Sequence, residues 1–162
     1  MATQQITALI DQLNLQTRLF RNAVADLKDE DAKKTIVPGT NSTSWLAGHT
    51  VSTRYGLANM FGAQATEPYP ELFAHQKGMD HSVTYPSITD LTKDWDSISE
   101  TLITKLNTLK DEDISGALPF QLPIADATMK GYLSFITHHE AYTIGQLGLL
   151  RRLNGYPAMT YA

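Results

Sequence analysis

The chain of 162 residues contains no cysteine. This absence excludes disulfide frameworks, thiolate zinc sites and cysteine nucleophiles. Any bound metal must therefore be held by nitrogen and oxygen ligands, which draws attention to the five histidines.

Positive charge is also scarce, since 13 Lys and Arg residues stand against 17 Asp and Glu, a net charge of -4. A nucleic-acid-binding surface needs a surplus of cations to displace counterions, so we expect no nucleic-acid partner. The sequence also lacks an apolar run of membrane-spanning length and a signal-peptide pattern at its start, so we expect no membrane association and a cytoplasmic location. The length fits a single domain spanning residues 1–162.

Four segments carry apolar residues at three- and four-residue spacing, which predicts amphipathic helices. They span approximately 6–27, 41–62, 87–109 and 126–153. Capping residues precede the second and fourth segments, and Asn154-Gly155 follows the fourth. No segment alternates with a period of two. The sequence therefore predicts an all-α four-helix bundle.

Two sequence features bear on the connections between these helices. The pentapeptide Leu-Lys-Asp-Glu-Asp occurs at 27–31 and again at 109–113, which suggests two related hairpins with the repeated peptide closing a helix in each. The link between the hairpins, 62–86, is long for a bundle and contains three prolines. We expect this link to be ordered coil that can act as a lid or a binding loop.

Two histidines lie in the middle of predicted helices. At 100° per residue, His49 shares a helix face with Trp45 and Thr53, and His139 shares a face with Thr143 and Gln146. If both faces point inward, the two imidazoles meet in an interior pocket. His138 points about 100° away from His139 and cannot serve the same site.

Each histidine also has a simpler interpretation, as a core imidazole whose nitrogens are hydrogen-bonded to a hydroxyl or a carbonyl. The sequence offers four partners for such bonds: Thr53, Tyr142, Thr143 and Gln146. From the residues alone, this interpretation is favoured over a ligand site for each histidine.

Two stretches, 41–49 (NSTSWLAGH) and 135–155 (FITHHEAYTIGQLGLLRRLNG), resemble the DinB-like (DinB/YfiT-type) family. Tyr85-Pro86-Ser87 before the third helix, and Trp95 within it, fit the same family. The resemblance implies a four-helix bundle of up-down-down-up topology, often dimeric. It also implies a divalent metal, zinc or nickel, held by three histidines, of which His49 and His139 are two.

The third ligand of the family would fall four residues after His139, and this sequence has Thr143 there. Two imidazoles at positions i and i+4 can hold one ion, whereas a threonine hydroxyl is neutral and far less basic. The metal site is therefore expected to be incomplete, unless His75 or His81 of the link completes it. Glu140 lies about 100° from His139 and is not placed to help.

Three functions follow from these observations. The first is a metal-dependent transferase or isomerase that uses a low-molecular-weight thiol, as the resemblance implies, and it needs a complete metal site. The second is a pocket lined by Trp45, Thr53, Thr143 and Gln146 that binds a small ligand or none. The third is a non-catalytic, stress-associated homodimer.

Overall fold

The computed structural model describes residues 3–73 and 77–161. This part of the chain is all-α and forms no strand, only an isolated bridge between Ala117 and Thr128. Within the described residues, a short 3-10 helix, Gln4–Ile6, precedes seven α-helices. These are α1 (Thr7–Val24), α2 (Asp29–Ala32), α3 (Thr43–Met60), α4 (Pro70–Phe73), α5 (Ile88–Leu106), α6 (Asp111–Ser115) and α7 (Met129–Leu153).

The four predicted helices correspond to α1, α3, α5 and α7, and side chains cap three of them. The hydroxyls of Ser42, Ser87 and Thr128 accept the backbone N–H three residues ahead, which satisfies a free donor of the first turn. At the far end, α7 stops before Gly155, whose φ of 84° is accessible to glycine at little cost.

The four long helices bury one shared core. α1 packs against α5 and α7, and α3 packs against the same two helices, so that each long helix has two long neighbours. Each long helix contributes at least one fully buried leucine to this core, namely Leu13, Leu57, Leu102 and Leu133 in chain order. No helix of the described residues is long and apolar enough to cross a membrane.

The repeated pentapeptide does not close helices, contrary to the expectation from sequence. α1 ends at Val24 and α5 at Leu106, before each copy, and the acidic residues of the copies instead open the short helices α2 and α6. Carboxylates are stabilised at helix N-termini by the helix dipole, which explains why they begin these helices rather than end the preceding ones.

The link between the hairpins is not coil throughout, because it contains the four-residue helix α4. Buried Phe73 of this helix lies against Gly48, where a Cβ atom would collide with the phenyl ring. The link is thereby held on α3 one residue before His49. Glycine at position 48 allows this close approach.

Candidate functional site

His49 of α3 and His139 of α7 lie next to each other. Their Nε2 atoms are 3.5 Å apart, and their rings meet nearly edge to face, with centroids 5.3 Å apart and planes at 69°. Both side chains are half-buried. Residues separated by 90 positions in the sequence are therefore paired by the packing of α3 on α7.

Trp45 extends this pair on α3, one turn before His49. Its ring is parallel to the His49 imidazole, with an interplanar angle of 2° and a centroid distance of 5.1 Å. Its indole Nε1 and the Nδ1 atom of His139 are both buried and have no hydrogen-bond partner among the described residues. Buried polar atoms usually have partners, so these two are potential contacts for a ligand.

Burial disfavours the charged form of both imidazoles. Burial, with a smaller effect of the neighbouring His139, lowers the pKa of His49 from 6.5 to about 4. Burial also lowers the pKa of His139, against an opposing effect of the Glu140 carboxylate. Both rings are therefore neutral at pH 7, and each has a lone pair on one nitrogen.

The hydroxyls near the pair do not bind the imidazoles. Thr53 donates to the backbone oxygen of His49 at 2.9 Å, and Thr143 donates to the backbone oxygen of Glu140 at 3.0 Å. Gln146 is half-buried, whereas Tyr142 is 65% exposed and is thus not a core partner for His139. Neither threonine therefore satisfies a histidine nitrogen with its hydroxyl proton.

No third ligand joins the pair in the part of the chain that the structure describes, where no group of three or more His, Asp or Glu residues could hold a metal. His138 is exposed on another face of α7. His81 is exposed in the link and lines a separate cleft with Lys33 and Tyr85. His75 lies outside the described residues.

A fully buried ion pair lies beside the histidines and was not foreseen from the sequence. Arg54 of α3 binds Glu140 of α7 through two parallel hydrogen bonds, Nε to Oε1 at 2.9 Å and Nη2 to Oε2 at 2.6 Å. Both side chains are 0% exposed. The one available signal was a lone arginine within an otherwise uncharged α3.

The same arginine also contacts the other two long helices. Its Nη1 donates to the Thr17 hydroxyl of α1 and the Ser99 hydroxyl of α5, each at 2.6 Å. Its guanidinium lies over the Trp95 ring of α5, 3.6 Å from the centroid. Arg54 thus connects all four long helices, and Glu140 is occupied by this network rather than available to the histidines.

Comparison with known proteins gives one family and one fold. A conserved protein from Enterococcus faecalis, known from its crystal structure, superimposes with a TM-score of 0.71. The match covers 94% of this chain and 98% of that one at 16% sequence identity, so the likeness concerns the fold. Among curated proteins, none matches the sequence. The family model of the DinB superfamily matches residues 12–147, and the chain therefore belongs to the DinB superfamily.

Proposed function

We propose that His49 and His139 form a two-histidine site that holds a divalent cation, zinc or nickel, weakly and with its other coordination positions open. The main observation that supports this proposal is the 3.5 Å separation of the two Nε2 atoms. Zinc–nitrogen bonds of about 2.0–2.1 Å in tetrahedral geometry put two ligand nitrogens about 3.3–3.4 Å apart. Little movement is therefore needed to bring both nitrogens to one ion.

The protonation state of the site supports this proposal. A metal ligand must be a neutral imidazole, and burial holds both rings in that form at pH 7. A second-sphere partner normally fixes the other nitrogen of a ligating histidine. The Nδ1 of His139 has none among the described residues, which is a further reason to expect a weakly held cation.

Thr143 sets the limit on what the site can do. Its hydroxyl donates to a backbone carbonyl within its own helix and is 3% exposed, so it leaves the third position of the family pattern unfilled. A bound divalent cation would act there as a Lewis acid. Two protein ligands hold it less firmly than the three of an open catalytic zinc site, so we favour weak binding over thiol transfer.

We also propose that the four long helices form a bundle of up-down-down-up topology. Contacts across the helix pairs support this order. Gln5 and Gln16 of the N-terminal half contact Lys130 and Thr137 respectively, as expected if α1 and α7 run in the same direction. Arg21 contacts Asp96, and Thr3 contacts Leu109, as expected if α1 and α5 run in opposite directions.

A homodimer is a second, separate proposal about the state of the chain. Three large apolar side chains remain exposed along α7: Tyr142 at 65%, Leu149 at 59% and Leu153 at 46%. Their spacing places them along one side of the helix. Clusters of exposed apolar residues of this kind commonly mark protein–protein contacts.

The cation site is tested by restoring the missing ligand. In protein without a histidine tag, Thr143→His should tighten zinc and nickel binding by roughly 100-fold or more, because residues at i and i+4 share a helix face. Binding is measured by competition with a chromophoric chelator. Arg152→His is the matched control, since it adds an imidazole at an exposed position of α7 that lies 13 residues beyond His139, and it should leave the affinity unchanged.

Two further variants keep the test decisive. Histidine is larger than threonine, so overpacking at this buried position could unfold the protein, and Thr143→Asp offers a carboxylate ligand of nearly the original size. Adding His49→Ala to either variant should abolish the gain. If folded Thr143→His and Thr143→Asp bind zinc no better than the wild type, the proposed site is wrong.

A further inference from the structure

We propose that the buried Arg54–Glu140 pair is a positioning device that sets the spacing between His49 and His139. This inference rests on the proposed role of the two histidines as a ligand pair. It assigns to two charged residues, which touch neither nitrogen of the site, the task of holding α3 and α7 in the register that brings those nitrogens together.

The first support is the location of the pair on the two helices concerned. Glu140 directly follows His139 on α7, and Arg54 comes five residues after His49 on α3. The two residue pairs therefore join α3 to α7 at neighbouring points, about 1.5 Å apart along α7 and about 7.5 Å apart along α3. Two such points fix both the rotation and the sliding of one helix against the other.

The second support is directionality. The guanidinium and the carboxylate meet through two parallel hydrogen bonds of 2.9 and 2.6 Å. This bidentate arrangement has a narrow range of geometries, unlike a contact between aliphatic side chains. A rotation of α7 that carried His139 away from His49 would also break these bonds.

The third support is the way in which the arginine itself is held. The hydroxyls of Thr17 and Ser99 donate to Leu13 and Trp95 backbone oxygens of their own helices, which leaves their lone pairs to accept from Arg54. The guanidinium is thus fixed by α1 and α5 before it meets Glu140. Through this arginine, α7 is positioned relative to α1, α3 and α5 rather than relative to α3 alone.

The fourth support is energetic. A fully buried ion pair loses most of its Coulombic gain to desolvation, and apolar replacements of similar volume are often as stable or more so. Arg54 and Glu140 are both 0% exposed, so stability alone does not account for them at the centre of an apolar core. Their presence is explained if they fix the position of α7 against α3, and so the spacing of the two histidines.

The test replaces the pair and reads the geometry of the histidines directly. In the full-length chain, Arg54→Met/Glu140→Leu should fold with a melting temperature near that of the wild type. The nuclear Overhauser effect between the Hε1 protons of the two imidazoles should weaken severalfold, and the zinc affinity should fall at least 10-fold. Zinc alone is the probe.

The matched control is Arg151→Met, which removes a second buried arginine, this one on α7. Arg151 donates to the backbone oxygens of Ala25 and Pro157 and lies 12 residues beyond His139, about 18 Å along the helix. Its loss should lower stability and leave both the imidazole signal and the zinc affinity unchanged. This pattern would separate a positioning role from a general loss of packing.

The outcomes distinguish this inference from the proposed function. If the folded double variant retains both the wild-type imidazole signal and the wild-type zinc affinity, the positioning role is refuted. If the wild type binds no zinc, the metal proposal fails. The positioning role is then judged from the nuclear Overhauser effect between the two imidazoles alone. If the double variant does not fold, Glu140→Asp and Arg54→Lys are measured instead. Each keeps the charge but alters the two-point geometry, and a wild-type signal in both overturns the inference.

Discussion

Removal of one partner of the buried ion pair should strongly destabilise the protein. Glu140→Gln keeps the shape of the side chain but removes its charge, and its amide group would place N–H donors against the guanidinium of Arg54. The arginine is 0% exposed, so water cannot compensate for the lost carboxylate. Breaking a buried pair in this way costs about 3–5 kcal/mol.

This loss is a large part of a typical domain stability of about 5–15 kcal/mol. At about 2–4 °C per kcal/mol for a chain of this size, the melting temperature should fall by roughly 6–20 °C. Urea unfolding at pH 7, followed by far-ultraviolet circular dichroism, gives the free energy of unfolding with its m-value.

A matched comparison is available on the surface. Arg21 and Asp96 are also joined at 2.6 Å, but their side chains are 49% and 40% exposed. Asp96→Asn should therefore cost less than about 1 kcal/mol. If Glu140→Gln cost no more than Asp96→Asn, the argument from burial would be refuted, and Arg54 would have to reach water or another anion.

Three further predictions concern pH, packing and assembly. Because the pKa of His49 is about 4 in the folded chain and 6.5 is its ordinary value, its contribution to stability is complete above pH 6.5 and is lost as the pH falls towards 4. In EDTA, His49 should account for about 1–2 kcal/mol of the stability lost between pH 7 and 5, after allowance for partial exposure. His49→Gln should reduce the loss by this amount and leave the contribution of His139, whereas exposed His138→Gln should not reduce it. Equal pH profiles in wild type and His49→Gln would contradict the assignment. Gly48→Ala should cost about 1–3 kcal/mol by urea unfolding, because the new methyl group meets the Phe73 ring, and Phe73→Leu should recover part of it; an unchanged stability would mean that the link does not pack there. Leu149→Lys should shift the mass measured by light scattering from dimer to monomer without lowering the melting temperature, and a wild type that is already monomeric would exclude the dimer.

Much of the fold could be predicted from local sequence. Apolar spacing located the four long helices, and capping residues marked the starts of the second and fourth, where Ser42 and Thr128 provide the caps. The Ser87 cap of the third was not identified from the sequence. The acidic pentapeptides were misassigned because carboxylates suit the start of a short helix, and spacing alone does not show that the preceding helix has already ended. The short helix α4 was missed because its four residues are too few to show a period.

The candidate site could be predicted only in part. Helix geometry selected His49 and His139, and the family pattern identified Thr143 as the departure from a three-histidine site. Neither helix geometry nor the family pattern could show whether a hydroxyl binds either histidine, or that Arg54 forms an ion pair with Glu140. A helical wheel gives the face on which a side chain lies, but not which of several neighbours it will contact.

The amino-acid sequence by itself determined the helical class and the lack of cysteine chemistry, because both depend on residue identity and local spacing. Compared with the family pattern, it also showed that Thr143 stands where a third histidine is expected. Only the tertiary structure decided that two imidazole nitrogens lie 3.5 Å apart and that Arg54 meets Glu140 across the core. Such contacts join residues about 90 positions apart in the chain. They depend on how four helices rotate against one another, and that rotation is set by the packing of all their side chains together.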